Sequence, residues 1–160
     1  MGKKYLAYGS NLNLAQMERR CPGSKIIGTG VLKDYRLAFH GSPGNAHATV
    51  IPCKGRTVPV LIWEVNADDE RRLDRYEGYP HYYFKRTLEA VMDDTKRTVK
   101  AMAYIMDTNM DVNYPSYAYI GTIAQGYEDC SFDVEILREY LLENIEQVRE
   151  REITRLRKEA

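Results

Sequence analysis

With 160 residues, 23 basic and 23 acidic side chains and no net charge, the chain offers no electrostatic case for nucleic acid or a membrane surface as partner. The length suits one domain, residues 1–160, with a core of its own. Cys21, Cys53 and Cys130 form no C-x-x-C pair and His40, His47 and His81 show no H-x-x-x-H spacing, so neither a zinc site nor a disulfide framework is expected.

The opening MGKKYLAYGSN lacks the apolar run of a signal peptide, and no stretch has the length that spans a bilayer; a reducing, cytoplasmic setting is the default expectation. Tyr5 to Tyr8 reads as a short strand ending in the turn Gly9-Ser10-Asn11. A helix follows over Leu14 to Arg20, with Asn13 as N-cap and Gln16 three residues on, stopped by Cys21-Pro22-Gly23. Lys25 to His40 reads as two strands interrupted at Gly28 and Gly30, and Gly41 to Asn45 as a loop. Ala48 to Pro52 and Val58 to Val65 read as strands around Lys54-Gly55-Arg56, with Pro59 at an edge or bulge because it cannot donate to a ladder.

Asn66 caps a helix over Ala67 to Tyr76, with Asp68, Asp69 and Glu70 in its first turn and Gly78 as the residue that ends it. Tyr83 to Met92 and Val99 to Met106 form another strand pair joined at Asp93 to Thr95, and Asp107 to Pro115 is a loop. Ser116 to Gln125 is helical. Ser131 caps a long helix from Phe132 to about Lys158, with Ile136, Leu137, Tyr140, Leu141, Ile145 and Val148 on one face. Residues 143–160 form a charged helical extension that projects into solvent or joins a neighbour. The sum is an α+β fold with a compact mixed sheet or small barrel and a long C-terminal helix.

Three segments could carry chemistry. A strand that ends in a glycine turn before a helix presents free N–H groups to a carboxylate or phosphate; the simpler reading of Tyr8 to Leu12 is a plain β-to-α turn. Ser10 as a nucleophile is a minor alternative, since G-x-S-x-G is absent. Glu77 falls at the last turn of its helix, where the dipole disfavours its charge and pushes its pKa up, a tuning suited to acid/base work. An exposed glutamate, or one paired with Arg71 or Arg75, is the plainer reading. The third segment is a scatter of phenols, Tyr82, Tyr83, Tyr104, Tyr117 and Tyr119, among thirteen tyrosines against three phenylalanines; packing explains any one of them alone.

Taken together, these residues resemble the γ-glutamylcyclotransferase (AIG2-like) family. Tyr8-Gly9-Ser10-Asn11-Leu12 looks like its signature loop. Leu73-Asp74 followed by Glu77-Gly78, after a strand ending Trp63-Glu64-Val65, is a second match. Ala103-Tyr104-Ile105-Met106 is a third, and Pro115-Ser116 with Tyr119 a fourth. Order and rough spacing agree from residue 5 to about 132, and the charged end after about Glu143 is not covered. The resemblance implies a mixed sheet of about six strands curled into a small barrel with helices around it. It implies Glu77 as the catalytic acid/base, a loop from Tyr8 to Leu12 that cradles the γ-glutamyl group through N–H bonds, and Tyr83, Tyr104 and Tyr119 on the pocket wall. Tyr83 is the weaker transfer, because Tyr79-Pro80-His81 looks more like bacterial members. Asn11 sets the chain apart from glutathione-specific relatives, which carry a shorter Tyr-Gly-Ser-Leu loop.

The implied reaction is attack of a γ-glutamyl compound's own α-amino group on its γ-carbonyl, releasing 5-oxoproline and an amine. It calls for no metal or cofactor, and a small γ-glutamyl molecule is the expected partner. A non-catalytic binding protein on the same fold is the alternative. The leaving amine is open, with His40 to His47 and Tyr79 to Phe84 as the segments that would face it, and oligomeric state is open too, a homodimer included.

Overall fold

A computed structural model describes residues 2–107 and 109–160; Met1, and Thr108 within the expected loop Asp107–Pro115, lie outside the described residues. Five strands close a barrel in the order β1-β3-β2-β4-β5. They are β1 (Lys3–Ala7), β2 (Lys25–Ser42), β3 (Asn45–Val65), β4 (Tyr83–Met92) and β5 (Thr98–Met106). Every neighbouring pair is antiparallel except β1 and β5, which meet in parallel at Tyr5 and Met102.

The count of about six strands is corrected to five, for a physical reason. The glycines and turn residues that mark breaks in the sequence mark bends here. Gly28 and Gly30 lie inside one continuous β2, and Lys54-Gly55-Arg56 lies inside one continuous β3. The register steps from Lys33↔Thr57 to Tyr35↔Pro52, and the Gly55 N–H donates to Asp34 Oδ1 at 2.9 Å across the bend, so a bulge replaces a strand end. Likewise the expected loop Gly41 to Asn45 tightens to a hairpin turn at Pro43-Gly44, flanked by the pair Ser42↔Asn45. Pro59 sits in β3 beyond the last β1 partner, Ala7↔Leu61, where that edge of the strand is unpaired.

The helices are α1 (Leu14–Arg20), α2 (Ala67–Glu77), α3 (Tyr117–Asp129) and α4 (Val134–Glu159), with a 3-10 turn at Ser10–Leu12 before α1. Asn13, Asn66 and Ser116 cap α1, α2 and α3 by accepting N–H bonds from Gln16, Asp69 and Tyr119. The cap of α4 is Asp133 rather than Ser131, its side chain accepting from the Glu135 N–H; Ser131 takes φ 60 in the link from α3, a conformation outside the extended range of an N-cap.

The barrel interior and the helix undersides form one core, including Leu6, Leu32, Phe39, Val60, Ile62 and, from α2, Leu73. On α4, Leu137, Tyr140 and Val148 are buried, but Ile145 is 39% exposed and Asn144 is buried in its place. Asn144 accepts from the Phe39 N–H at 3.2 Å and donates to the Asn113 carbonyl at 2.9 Å. Part of the charged extension is also tied down: the Arg151 guanidinium bonds the Val112 carbonyl and donates to Asn113 Oδ1 at 2.9 Å. No helix of the described residues is long and apolar enough to cross a membrane.

Candidate active site

Strand β1 delivers the chain from the barrel into the turn Gly9-Ser10-Asn11, and this turn forms one wall of a cavity of about 160 Å³. Glu77, on α2, forms part of another wall, and β3, β4, β5 and α3 contribute Ala48, Tyr83, Tyr104 and Tyr119. Pockets for drug-sized ligands run to roughly 300–1,000 Å³, so this one is sized for a small polar group.

The turn is held firmly from behind. The Asn11 carbonyl accepts from Trp63 Nε1 at 3.1 Å, and its side chain donates to the Tyr5 hydroxyl at 2.9 Å and accepts from Arg20 at 2.7 Å. Gly9 passes so near β3 that an added Cβ would lie 3.2 Å from the Ala48 Cβ, a tight contact that a side chain here would have to displace. The N–H groups of Leu12 and Asn13 close the 3-10 turn onto Gly9 and Ser10 carbonyls. Those of Gly9, Ser10 and Asn11 make no such bond among the described residues, as expected for the first amides of a helical turn.

Glu77 is the last residue of α2, and Gly78 ends the helix at φ 66. An added Cβ at Gly78 would stand 2.9 Å from the Tyr82 Cβ, so glycine is demanded by both backbone and space. Glu77 is half-buried, yet protein surrounds its carboxyl. Burial pushes that group up to about 7, with the nearby Arg20 charge opposing the rise. No hydrogen bond or ion pair with the described residues fixes it, and neither Arg71, which pairs with Asp68, nor Arg75 does so. The carboxyl is therefore free to take and return a proton inside the cavity.

The phenols divide by what their hydroxyls do. Tyr8 donates to the Tyr104 carbonyl at 2.5 Å and Tyr83 to the Ala48 carbonyl at 2.6 Å. Tyr104 lines the cavity with its ring while its hydroxyl donates to Asp74 Oδ1 at 2.6 Å. Tyr119 instead accepts, from the Ala48 N–H at 3.0 Å. Burial is the main cause that pushes Tyr5, Tyr8, Tyr82, Tyr83 and Tyr119 up, and the Glu77 charge adds to it in each case. All five stay protonated near neutral pH, and Tyr8 and Tyr83 spend that proton on backbone carbonyls.

Of the expected site residues, the structure brings Tyr8, Gly9, Ser10, Asn11, Glu77, Tyr83, Tyr104 and Tyr119 to one cavity. Leu12 is corrected: its side chain is fully buried in the core and its N–H is spent on the Gly9 carbonyl, so it presents nothing to the cavity. Tyr117 is 98% exposed and stands apart. Sequence reasoning missed Tyr5, Tyr76 and Ala48 as lining residues, while His47, from the segment His40 to His47 expected to face the leaving amine, lines the cavity. His47 Nδ1 is bonded to the Tyr82 hydroxyl at 2.8 Å, and burial pushes this imidazole down; His40, by contrast, is turned to the Met110 carbonyl. Period-2 alternation along β1 could have paired Tyr5 with the barrel interior, but no local signal singles out His47 within its segment. Among the described residues no cluster of three or more His, Cys, Asp or Glu side chains is placed to hold a metal ion.

The family described as gamma-glutamyl cyclotransferase, AIG2-like, matches residues 5–121. The chain is 26% identical over 138 residues to a human protein named gamma-glutamylcyclotransferase, a match that spans 82% of this chain and 73% of that one. It is 26% identical over 138 residues to the counterpart of that name from Bos taurus, with the same 82% and 73% coverage. Among solved structures it is similar to a human protein described as uncharacterized, at TM-score 0.78 and 24% identity over 87% of this chain and 86% of that one. It is also similar to one named gamma-glutamyl cyclotransferase, at TM-score 0.75 and 22% identity over 88% and 86%. The structural likenesses establish the fold.

Proposed function

The chain belongs to the AIG2-like gamma-glutamyl cyclotransferase family, and from that premise we propose that it cleaves a γ-glutamyl amino acid, peptide or amine by ring closure, releasing 5-oxoproline and the free amine. The observation that carries this reading is the placement of the unpaired Glu77 carboxyl in the same cavity as the uncommitted amides of Gly9, Ser10 and Asn11.

The substrate brings its own nucleophile, so the protein's tasks are geometric and protonic. The cavity folds the flexible γ-glutamyl chain until its α-nitrogen meets the γ-carbonyl; orientation of this kind supplies roughly 7–11 kcal/mol of a barrier. The α-amino group reacts as the free amine, its ammonium proton released to solvent, and Glu77, with its carboxyl raised to about 7, removes one further proton from that nitrogen as the N–C bond forms. The γ-carbonyl oxygen takes up negative charge, which the amides of the turn stabilise. Collapse of that intermediate breaks the bond to the leaving nitrogen, and Glu77 returns the proton there. A carboxyl with a value near neutrality suits both halves, since it neither holds nor sheds the proton too strongly. Tyr119 and Tyr5, whose hydroxyls accept from the Ala48 N–H and the Asn11 side chain, keep a proton to donate to the substrate's carboxylate and carbonyl oxygens without adding charge.

The deciding experiment incubates the full chain with a panel of γ-glutamyl amino acids, peptides and amines and quantifies 5-oxoproline and free amine. Equimolar release of both from at least one member is the expected result. Calorimetric binding of the panel with no lactam would establish a non-catalytic binding protein, and labelling of Ser10 by a serine-directed probe would establish a hydrolase.

A further inference from the structure

Two arginines end α1 and differ in their surroundings. Arg19 is exposed. Arg20 is half-buried, and its Nη1 lies 2.7 Å from Asn11 Oδ1 and 3.4 Å from Ser10 Oγ. The Cζ of the same guanidinium sits 3.2 Å from the ring centroid of Tyr76. Ser10 and Asn11 belong to the amide turn, and Tyr76 immediately precedes Glu77. One side chain therefore touches both walls of the cavity, which the sequence carries on separate elements.

We propose that Arg20 is a positioning residue that clamps the turn Gly9–Asn11 against the Glu77 end of α2, so that the carboxyl and the amides keep one fixed spacing. The proposal rests on the ring-closure reading above, in which that spacing is what catalysis requires. A planar guanidinium suits the place because its edge donates to Asn11 while its face covers Tyr76. A lysine ammonium, a point charge on a flexible stem, cannot do both. The exposed ring of Tyr76, an odd residue to leave 46% accessible, is accounted for as the platform for this contact.

Arg20 also acts on Glu77 through its charge. Around the carboxyl stand the phenols Tyr5, Tyr8, Tyr82, Tyr83 and Tyr119, all pushed up by burial, and His47, pushed down by burial. Tyr104, also pushed up, faces Asp74. These groups are neutral near pH 7, so Arg20 is the charge that favours the ionised form of Glu77.

The test uses the full chain as wild type, Arg20→Met, Arg20→Lys, Tyr76→Leu, the Arg20→Met/Tyr76→Leu double variant and Arg19→Met as control. Lactam release gives kcat and KM, and carbon NMR of labelled glutamate follows the Glu77 carboxyl through pH. Arg20→Met is expected to lose about 100-fold in kcat/KM, the loss typical of a misplaced catalytic constellation, and to move the Glu77 midpoint upward. Arg20→Lys should restore the midpoint but not the rate, which separates clamp from charge. Tyr76→Leu should reproduce the rate loss, and the double variant should be no slower than Arg20→Met. Arg19→Met should match wild type. Wild-type rates in Arg20→Met, full rate rescue by lysine, or multiplicative losses in the double variant would each overturn the proposal. A wild-type chain that releases no lactam would instead overturn the ring-closure reading, so the two failures are told apart.

Discussion

The Ala48 N–H donates to the Tyr119 hydroxyl at 3.0 Å, and this single bond decides which way a phenol proton points. With its oxygen accepting from the backbone, Tyr119 has its own O–H free to donate into the cavity. Tyr83, bonded to the same residue, does the reverse, donating to the Ala48 carbonyl at 2.6 Å. Removing the Tyr119 hydroxyl therefore costs a donor to the substrate and strands the Ala48 N–H. Tyr119→Phe is expected to lower kcat/KM by about 100-fold, at the lower end for a removed oxyanion-type donor, while Tyr83→Phe loses less. Steady-state lactam release by the two variants measures the difference.

In the proposed reaction Glu77 carries the proton, and glutamine in its place removes that function and keeps the shape. A positioned acid/base is worth about 100- to 10,000-fold in rate, so Glu77→Gln is expected to lose turnover within that range while still binding a γ-glutamyl ligand. The same change relieves a cost, because an unpaired carboxylate held in a dry setting opposes folding once it is ionised. One pKa unit corresponds to about 1.4 kcal/mol. Solvent reaching the cavity reduces the gain, so the variant is expected to be more stable at pH 8 by about 1–2 kcal/mol. Denaturant unfolding of both proteins at pH 8 checks the sign.

The pH dependence follows from the same group. The Glu77 carboxyl is raised from 4.5 to about 7 in the folded chain. Below 4.5 both folded and unfolded chains hold the proton. Between 4.5 and about 7 the unfolded chain has released it and the folded chain has not, so folding takes up a proton and this group's contribution to stability falls as pH rises through that window. Above about 7 the cost is constant. Activity runs the other way: kcat/KM is expected to rise through about pH 7 as Glu77 becomes a base. The acid limb should vanish in Glu77→Gln, and a pH–rate profile of the two proteins tests it.

Asn144, which is not among the cavity-lining residues, joins α4 to the barrel. It is 3% exposed and serves the Phe39 N–H and the Asn113 carbonyl together. Asn144→Ala leaves two buried backbone groups unpaired at about 1–3 kcal/mol each. A loss of about 2–6 kcal/mol in unfolding free energy is expected, with the thermal midpoint as readout. Asn144→Asp should also destabilise, because a carboxylate can accept from Phe39 but cannot donate to Asn113.

Much of the local structure was legible because it is written in short-range chemistry. Asn13, Asn66 and Ser116 act as caps through side chains that reach their own helix, and Gly78 ends α2 through its own φ. The misreadings arose where a local signal had a second meaning. Gly28, Gly30 and Gly55 look like strand ends, yet the barrel uses that region for bending. Ser131 looks like a cap, yet Asp133, two residues on, does the work. Leu12 belongs to the turn in sequence, but its apolar side chain goes to the core.

The sequence by itself determined the helices, the turn at Gly9 to Asn11 and the helix-ending placement of Glu77, since each depends on neighbours a few residues away. It could not determine that Glu77 has no bonding partner among the described residues, that Tyr119 accepts while Tyr83 donates at Ala48, or that His47 and Tyr5 share the cavity. Those facts depend on closure of the barrel, which brings β1, β3, α2 and α3 together across gaps of tens of residues. Desolvation, the main cause of the raised carboxyl, is a property of everything packed around a group and of nothing adjacent to it in the chain.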